Sequence, residues 1–362
     1  MERMTEVSAK QWDFITRDNL TAREAVDFLK NGIRVRTFDD NLKEISRIEE
    51  YENLLVDGLY RIQSGKTGEI QLISLKRKVR NWVDGKNLPS DREEVFQICF
   101  AMGFDLEQSE RLLSRLTEQG IHYRNGREAI FAYCLKYHLC YQDAVQMADQ
   151  FIDRSRMREG SMEPLTHIME EEFQKVRGKE DFFCFLMNHR MQMGDSHNTA
   201  YSYFTKMLAL LSGEKLADEG KRSMEYIADH YLRMNMPLDK KTSGYTTVQK
   251  IVKKYWPGAR NIKAMKSRSE DVNRKTLLLL YIVTGGMFDE TYTELDEEYI
   301  DAAKFLEMHC KRMNQMLRDC GMARIDPRNI FDCLILYCLR PEDEMFMSDR
   351  MQSLIKELFY KD

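Results

Sequence analysis

The sequence predicts an all-α protein in which two similar helical units flank a helical-bundle insert. Apolar residues make up 43% and charged residues 31% of the 362 residues, and only six are proline, which is typical of helices joined by short connections. Apolar residues recur at spacings of three and four through most of the chain, as on amphipathic helices. Two distant stretches, Ile121–Lys136 and Ile325–Arg340, can also be aligned with each other. Together these observations predict a duplicated helical unit.

Four segments follow from changes in pattern along the chain. A capping box at Thr21–Glu24, ahead of an apolar helix pattern, predicts a helical lead-in. The polar, weakly periodic stretch Arg154–Met162 is the best candidate for a linker. The predicted segments are a helical lead-in (1–50), a first unit (51–153), a helical middle domain (154–247) and a second unit (248–362).

The two units are similar over about 50 residues. Ile121–Lys136 and Ile325–Arg340 are identical at six of sixteen positions, and each follows an amphipathic helix that ends in glycine. Upstream, Arg92–Gly103 and Arg274–Gly285 share a helix pattern and the spacing from arginine to glycine. A period this long predicts two copies of one domain with an insert between them, rather than a solenoid. Convergent patterning of helix-loop-helix segments is the alternative.

The N-terminus, the hydropathy and the cysteines argue against several classes of protein. The segment Met1–Phe14 lacks the regions of a secretory signal. The longest apolar run, Leu277–Val283, falls far short of the roughly 20 residues that span a bilayer. The eight cysteines form no C-x-x-C pair, which disfavours zinc and a disulfide framework. We therefore expect a soluble, cytoplasmic protein with no membrane partner, no cofactor and no metal.

The first unit carries four residues at a spacing with a clear physical meaning. Val79 is followed by Trp82 three residues later, by Gly85 after six and by Pro89 after ten. The first two residues can pack a helix inward, the glycine can form the turn that ends it, and the proline can open the next connection. This pattern resembles the end of the recognition helix in the Xre/phage-repressor family of helix-turn-helix proteins. Upstream the chain departs from the family pattern, so an extended conformation of Ile70–Ser74 is an open alternative.

The resemblance covers about 100 residues, near 51–149, and implies a DNA-binding role. By resemblance, Ser74 caps the recognition helix, while Lys76, Arg77 and Asn81 face base edges in the major groove. The resemblance implies phosphate contacts or solvated charges for Lys78, Arg80 and Lys86. The second unit lacks the Trp-Gly-Pro signature and is interpreted as a degenerate helix-turn-helix-like copy near 248–340.

Charge points independently to an anionic partner. Residues 60–86 carry a net charge of about +5 and residues 250–275 about +7, so the rest of the chain carries about −16. Basic stretches at matching places in both copies fit nucleic acid approached from one side, although such stretches are often only solvated helix faces. The predicted second basic patch consists of Lys253, Lys254, Arg260, Lys263, Lys266 and Arg268.

Other chemistry has weaker signals. The stretch Ser64–Thr67 ends like a phosphate-binding loop but lacks its upstream glycine. His167 precedes two glutamates at helical spacing, which more often marks a solvated pair than a metal site. Arg115 and His122 approximate the spacing of an arginine-histidine pair in helical ribonucleases, but Gly120 lies between them.

These observations predict a non-enzymatic, DNA-binding transcriptional regulator of Xre-like type, with double-stranded DNA as its partner. The helical middle domain would mediate dimerisation or receive a signal. The alternative is a protein-protein interaction module, of the kind found in mobile elements or phage defence, that has lost DNA binding. A helical ribonuclease is a more distant alternative.

Overall fold

A computed structural model describes residues 5–63, 69–150, 166–189, 198–213, 222–239, 243–287, 302–340 and 345–360. Within these ranges the chain is helical and contains no strand, which confirms the all-α prediction. Two π-helical turns also occur, at Phe28–Gly32 and Ala228–Leu232. The α-helices are α1 (Glu6–Ile15), α2 (Ala22–Asp27), α3 (Phe38–Ser46), α4 (Glu52–Gln63), α5 (Glu69–Val83), α6 (Arg92–Met102), α7 (Leu106–Thr117), α8 (Gly126–Lys136), α9 (Tyr141–Gln150), α10 (Thr166–Lys175), α11 (Lys179–His189), α12 (Asn198–Ser212), α13 (Met224–Ile227), α14 (Thr247–Lys253), α15 (Ala259–Lys266), α16 (Arg274–Thr284), α17 (Ala302–Asp319), α18 (Ile330–Cys338) and α19 (Met347–Tyr360).

The chain forms two compact units. The terminal unit contains Met1–Val35, Ala200–Leu317 and Arg324–Asp362, and the central unit contains Arg36–Thr199 and Arg318–Ala323. The central unit holds the first predicted unit, and the terminal unit holds most of the second. This grouping differs from the four predicted segments, because α1 and α2 pack against α18 and α19, whereas α3 packs against α5 and α7. The lead-in is thereby divided between the two units. The predicted linker at 154–162 lies outside the described residues.

In the central unit, α4 lies against both α5 and α6. Gly58 permits the close approach of α4 to α6, since a Cβ there would lie 2.4 Å from the carbonyl oxygen of Ala101. The predicted capping box in the lead-in is confirmed. The Thr21 hydroxyl accepts the backbone N–H of Glu24, and the Glu24 carboxylate accepts the backbone N–H of Thr21, at the start of α2. None of the helices in the described ranges is long and apolar enough to cross a membrane.

The aligned helices of the two copies begin and end alike. Asn125 caps α8 by accepting two backbone N–H groups, and Asn329 caps α18 in the same way. Gly103 ends α6 with a left-handed φ of 64°, and Gly285 ends α16 with a φ of 63°. The aligned segments therefore share local structure as well as sequence.

A bidentate arginine-carboxylate pair joins α6 to α8 in the first copy and α16 to α18 in the second. Arg92 on α6 donates to both oxygens of Glu128 on α8, at 2.9 and 2.7 Å. Arg274 on α16 donates to both oxygens of Asp332 on α18, at 2.7 and 2.8 Å. In each copy the carboxylate also accepts the backbone N–H six residues before it, at 2.9 and 2.8 Å. The pair thus fixes a helix, a loop and a second helix together.

Candidate nucleic-acid interface

The helix α5 has one buried face and one solvent face. Leu75, Val79 and Trp82 lie at helical spacing on the buried face, and Trp82 is only 2% exposed. The Trp82 ring lies 5.5 Å from the ring of Phe38 on α3. The prediction that Val79 and Trp82 pack inward is confirmed, so the opposite face of α5 is turned to solvent.

That solvent face carries three cations. Lys76, Arg77 and Arg80 are exposed, and none of them pairs with a carboxylate in the part of the chain that the structure describes. Residues 76 and 80 are one turn apart, about 6 Å along the axis. Ile73, on the same face, is 73% exposed. The cations are therefore available to a partner, with one apolar side chain among them.

The other predicted contact residues have partners within the unit. Lys78 forms an ion pair with Glu94 and its Nζ lies 5.3 Å above the Trp82 ring. Lys86 pairs with Asp84 at 2.7 Å, on the surface. Asn81 is half-buried. Of the six predicted contacts, Lys76, Arg77 and Arg80 are the exposed cations that form no ion pair with a described carboxylate.

The start of α5 differs from the expectation. The helix begins at Glu69 and runs for 15 residues, so Ser74 lies in its interior and does not cap it. The extended alternative for this stretch is also wrong from Glu69 onward. The end of the helix agrees with the expectation, since Gly85 has a left-handed φ of 67°. The C-terminal end of α5 thus agrees with the expectation, and its N-terminal end does not.

The second basic patch is only partly free. Lys253 donates to the carbonyl and carboxylate oxygens of Asp239, at 2.7 and 3.1 Å. Lys263 forms an ion pair with Glu225. Lys254 lies over the Tyr255 ring at 4.8 Å, and Arg268 lies over the Tyr201 ring at 4.1 Å. Exposed positions are also held by Arg260 and Lys266.

Two charges in the second basic region are not on the surface at all. Arg274 is 3% exposed and Lys275 is 8% exposed. The ammonium of Lys275 donates to the carbonyls of Ile251 and Val252 at 3.1 and 3.0 Å, and to that of Lys254, at the end of α14. The net charge of residues 250–275 therefore overstates the charge that a ligand could meet.

In the central unit, a lysine ammonium likewise caps the end of α10. The ammonium of Lys136 donates to the carbonyls of Phe173, Gln174 and Val176, at 3.3, 3.0 and 3.1 Å. Burial lowers the pKa of Lys136 from its usual value. A cation at a helix C-terminus satisfies carbonyls that lack partners within the helix. Both lysines are structural cations.

The weaker sequence candidates gain no support from the described residues. Arg115 pairs with Glu44 at 3.1 Å, while His122 lies 3.8 Å from Glu128, so each candidate ribonuclease residue contacts a different carboxylate. Among the described side chains, no group of three His, Cys, Asp or Glu residues could hold a metal. The phosphate-loop candidate at 64–67 and the side chain of His167 lie outside the described residues.

The sequence patterns did not single out one titratable residue of the central unit, Glu110. Glu110 accepts the backbone N–H of Ile121 at 2.9 Å. Burial raises the pKa of Glu110 to about 7, and the nearby carboxylate of Glu170 acts in the same direction. The aligned position in the other copy is Asn314, whose amide oxygen accepts the N–H of Ile325 at 2.9 Å. Extending the alignment of the copies upstream would have drawn attention to this acid-amide pair.

Comparisons of the chain with protein-family models, with curated proteins and with solved structures found no match. The arrangement of the side chains on α5 therefore carries the functional conclusion.

Proposed function

We propose that the protein is a non-enzymatic DNA-binding regulator that places α5 in the major groove of duplex DNA. The observation that carries this proposal is the solvent face of α5, on which Lys76, Arg77 and Arg80 are exposed and free of carboxylates in the described part of the chain. The buried Val79 and Trp82 hold that face outward.

The dimensions and chemistry of α5 fit a groove. Its 15 residues span about 22 Å at 1.5 Å per residue, and the major groove, about 12 Å wide, admits one α-helix. Arginine and lysine recognise guanine through O6 and N7, and both also bind phosphates. We assign base contacts to Lys76 and Arg77, and a phosphate contact to Arg80. Asn81, half-buried at the edge of this face, would read adenine only from its exposed side.

The cellular setting belongs to the same proposal. The eight cysteines are all free thiols, and six of them are buried, which fits a reducing cytoplasm. The helices of the middle domain (154–247) would provide a dimer interface or receive a signal.

Binding of fluorescent random duplex DNA across a salt series tests the proposal. Wild-type protein should bind at low salt and lose affinity steeply as salt rises, because each phosphate contact adds about 0.9 to the slope of log K against log salt. The Lys76→Ala/Arg77→Ala variant should bind more weakly and with a shallower salt slope, because it brings two fewer cations to the DNA. The matched control is Lys175→Ala on α10, another exposed lysine, which should bind like wild type.

Two outcomes would contradict the proposal. Absence of duplex binding by folded wild-type protein at low salt would overturn DNA recognition. Breakdown of RNA that is abolished by His122→Ala would instead favour the ribonuclease alternative.

The exposed Ile73 favours a second candidate function. A side chain that is 73% exposed amid cations also suits a helix face that docks on a protein. If α5 mediates self-association of this chain, Ile73→Asp should shift the protein to monomer in sedimentation velocity, and Ile73→Val should not. Retained duplex binding by Ile73→Asp would favour DNA recognition.

A further inference from the structure

The helices α5 and α15 end in the same turn. The carbonyl of Asn81 accepts two backbone N–H groups, from residues 86 and 87, at 2.9 and 3.2 Å. The carbonyl of Ala264 likewise accepts from residues 269 and 270, at 2.9 and 3.2 Å. The residue between has a left-handed φ in both cases, 67° at Gly85 and 57° at Arg268. The turn predicted from Trp-Gly-Pro in the first copy thus exists in the second without those residues.

This turn sets the register between the two helices. Counting back from it, Ile262 occupies the position of Val79, and Met265 occupies the position of Trp82. All four side chains are buried. The helix α15 therefore buries the same two positions as α5 and turns the same face to solvent.

The flanking elements also correspond. Helix α14 precedes α15 across residues 254–258, as α4 precedes α5. The next helix is capped by Asn273 in one copy and by Asp91 in the other, each accepting the backbone N–H three residues on. Two helices, a turn and a third capped helix thus recur in the same order.

The matching register places cations on the outer face of α15. Arg260 takes the position of Arg77, and Lys263 takes the position of Arg80. Lys263 pairs with Glu225, but Arg260 and Lys266 are exposed and meet no carboxylate among the described residues. Tyr255, in the preceding turn, is 69% exposed. The outer face of α15 therefore keeps a cation at the positions of Arg77 and Arg80, whereas Ala259 stands at the position of Lys76 and Lys266 at that of Val83.

We propose that α15 is a second duplex-contacting helix, so that a single chain engages two DNA sites, one through Arg77 and Arg80 and the other through Arg260 and Lys266. This inference rests on the proposed function of α5. Once one helix is bound, the second binds intramolecularly, and linked binding of this kind raises the overall affinity by about 10²–10⁴-fold. Half-sites that are read by two such helices lie about one helical turn, or 10 bp, apart from centre to centre.

Stoichiometry and affinity on short and long duplexes test the second site. On a duplex of about 10 bp, which holds a single site, wild-type protein should bind two duplexes per chain in a titration followed by native mass spectrometry. On a random duplex of about 60 bp, wild-type protein should bind at least about 100-fold more tightly than on the short one.

Three variants separate the two helices. The Arg77→Ala/Arg80→Ala and Arg260→Ala/Lys266→Ala variants should each bind one short duplex per chain and lose most of the advantage of the long duplex. The second variant spares Lys263 because Glu225 already neutralises its charge. The control Lys175→Ala/Lys311→Ala removes one exposed lysine from each unit and should behave as wild type, and unchanged thermal unfolding of all three verifies the fold.

The outcomes distinguish the two proposals. One short duplex per wild-type chain, with Arg260→Ala/Lys266→Ala indistinguishable from wild type, would overturn the second site and leave α5 as the DNA contact. No binding of either duplex by wild type would overturn both. Loss of one short duplex on changing α15 supports the inference.

Discussion

The two copies of the helical unit use the same arginine-carboxylate pair in different surroundings. In the first copy the side chains of Arg92 and Glu128 are 23% and 12% exposed, whereas in the second copy those of Arg274 and Asp332 are 3% and 1% exposed. Geometry and partners are alike. A fully buried ion pair has lost the hydration that a partly exposed pair keeps, so its partners depend on each other more strongly. The comparison teaches that burial, rather than bond length, sets the cost of losing a partner.

The largest expected effect comes from breaking these pairs one at a time. Arg274→Ala leaves Asp332 as an uncompensated buried charge and should lower the free energy of unfolding by about 3–5 kcal/mol. Arg92→Ala should cost about 1–3 kcal/mol, since water can reach Glu128. Urea unfolding followed by circular dichroism measures both. Equal losses would show that the difference in exposure has no energetic meaning.

A smaller effect is expected where one copy has an acid and the other an amide. The folded-state pKa of Glu110 is about 7, against 4.5 for the free side chain, so between these values the folded protein holds a proton that the unfolded chain releases. Stability should therefore fall as pH rises from about 4.5 to 7. Glu110→Gln should remove this slope and add about 3 kcal/mol at pH 8, since each unit of pKa difference is worth about 1.4 kcal/mol.

The other copy supplies the reciprocal control for this pH effect. Asn314→Asp places a carboxylate where Asn314 now accepts the N–H of Ile325. It should destabilise the protein more at pH 8 than at pH 5, as monitored by thermal unfolding. An unaltered pH slope in Glu110→Gln would assign that slope to other groups.

The smallest effect concerns the turn that ends α5 and α15. Gly85 has a left-handed φ and open space where a Cβ would stand, so Gly85→Ala should cost only the backbone strain, about 1 kcal/mol. Arg268→Gly should relieve similar strain and stabilise the protein by less than about 1 kcal/mol, because its contact with the Tyr201 ring is lost. Opposite signs in chemical unfolding are expected. Destabilisation by Arg268→Gly would mean that the ring contact outweighs the strain.

The sequence predicted the all-α fold because apolar spacing reports helix faces directly. The two copies could also be aligned from the sequence, since both retain the spacing from arginine to glycine and the asparagines Asn125 and Asn329 that cap α8 and α18. The sequence matched the basic regions of the two copies but not the residue register of α15 with α5, because Met265 and Arg268 stand where the first copy has Trp82 and Gly85. Methionine fills the same buried position as tryptophan, and a non-glycine residue can occupy a left-handed turn, so the geometry survived without its usual residues.

Burial of charges was not predictable from the sequence. Lys275 adds to the net charge of its segment as a surface lysine would. Its ammonium is buried, however, and donates to carbonyls of residues more than twenty positions away. The cap predicted at Ser74 failed because the helix extends upstream to Glu69, where the local pattern gave no start signal. Tertiary partners decide both matters, and they lie far away in the sequence.

The Lys275 ammonium also implies an order of folding events. The helix α14 has seven residues, and isolated helices shorter than about 12 residues are marginal in water. Its last carbonyls have their cation only after α16 has docked beside it. We therefore expect α14 to form on the native side of the folding transition state, with α16 already in place, so that substitutions in α14 change the unfolding rate rather than the folding rate.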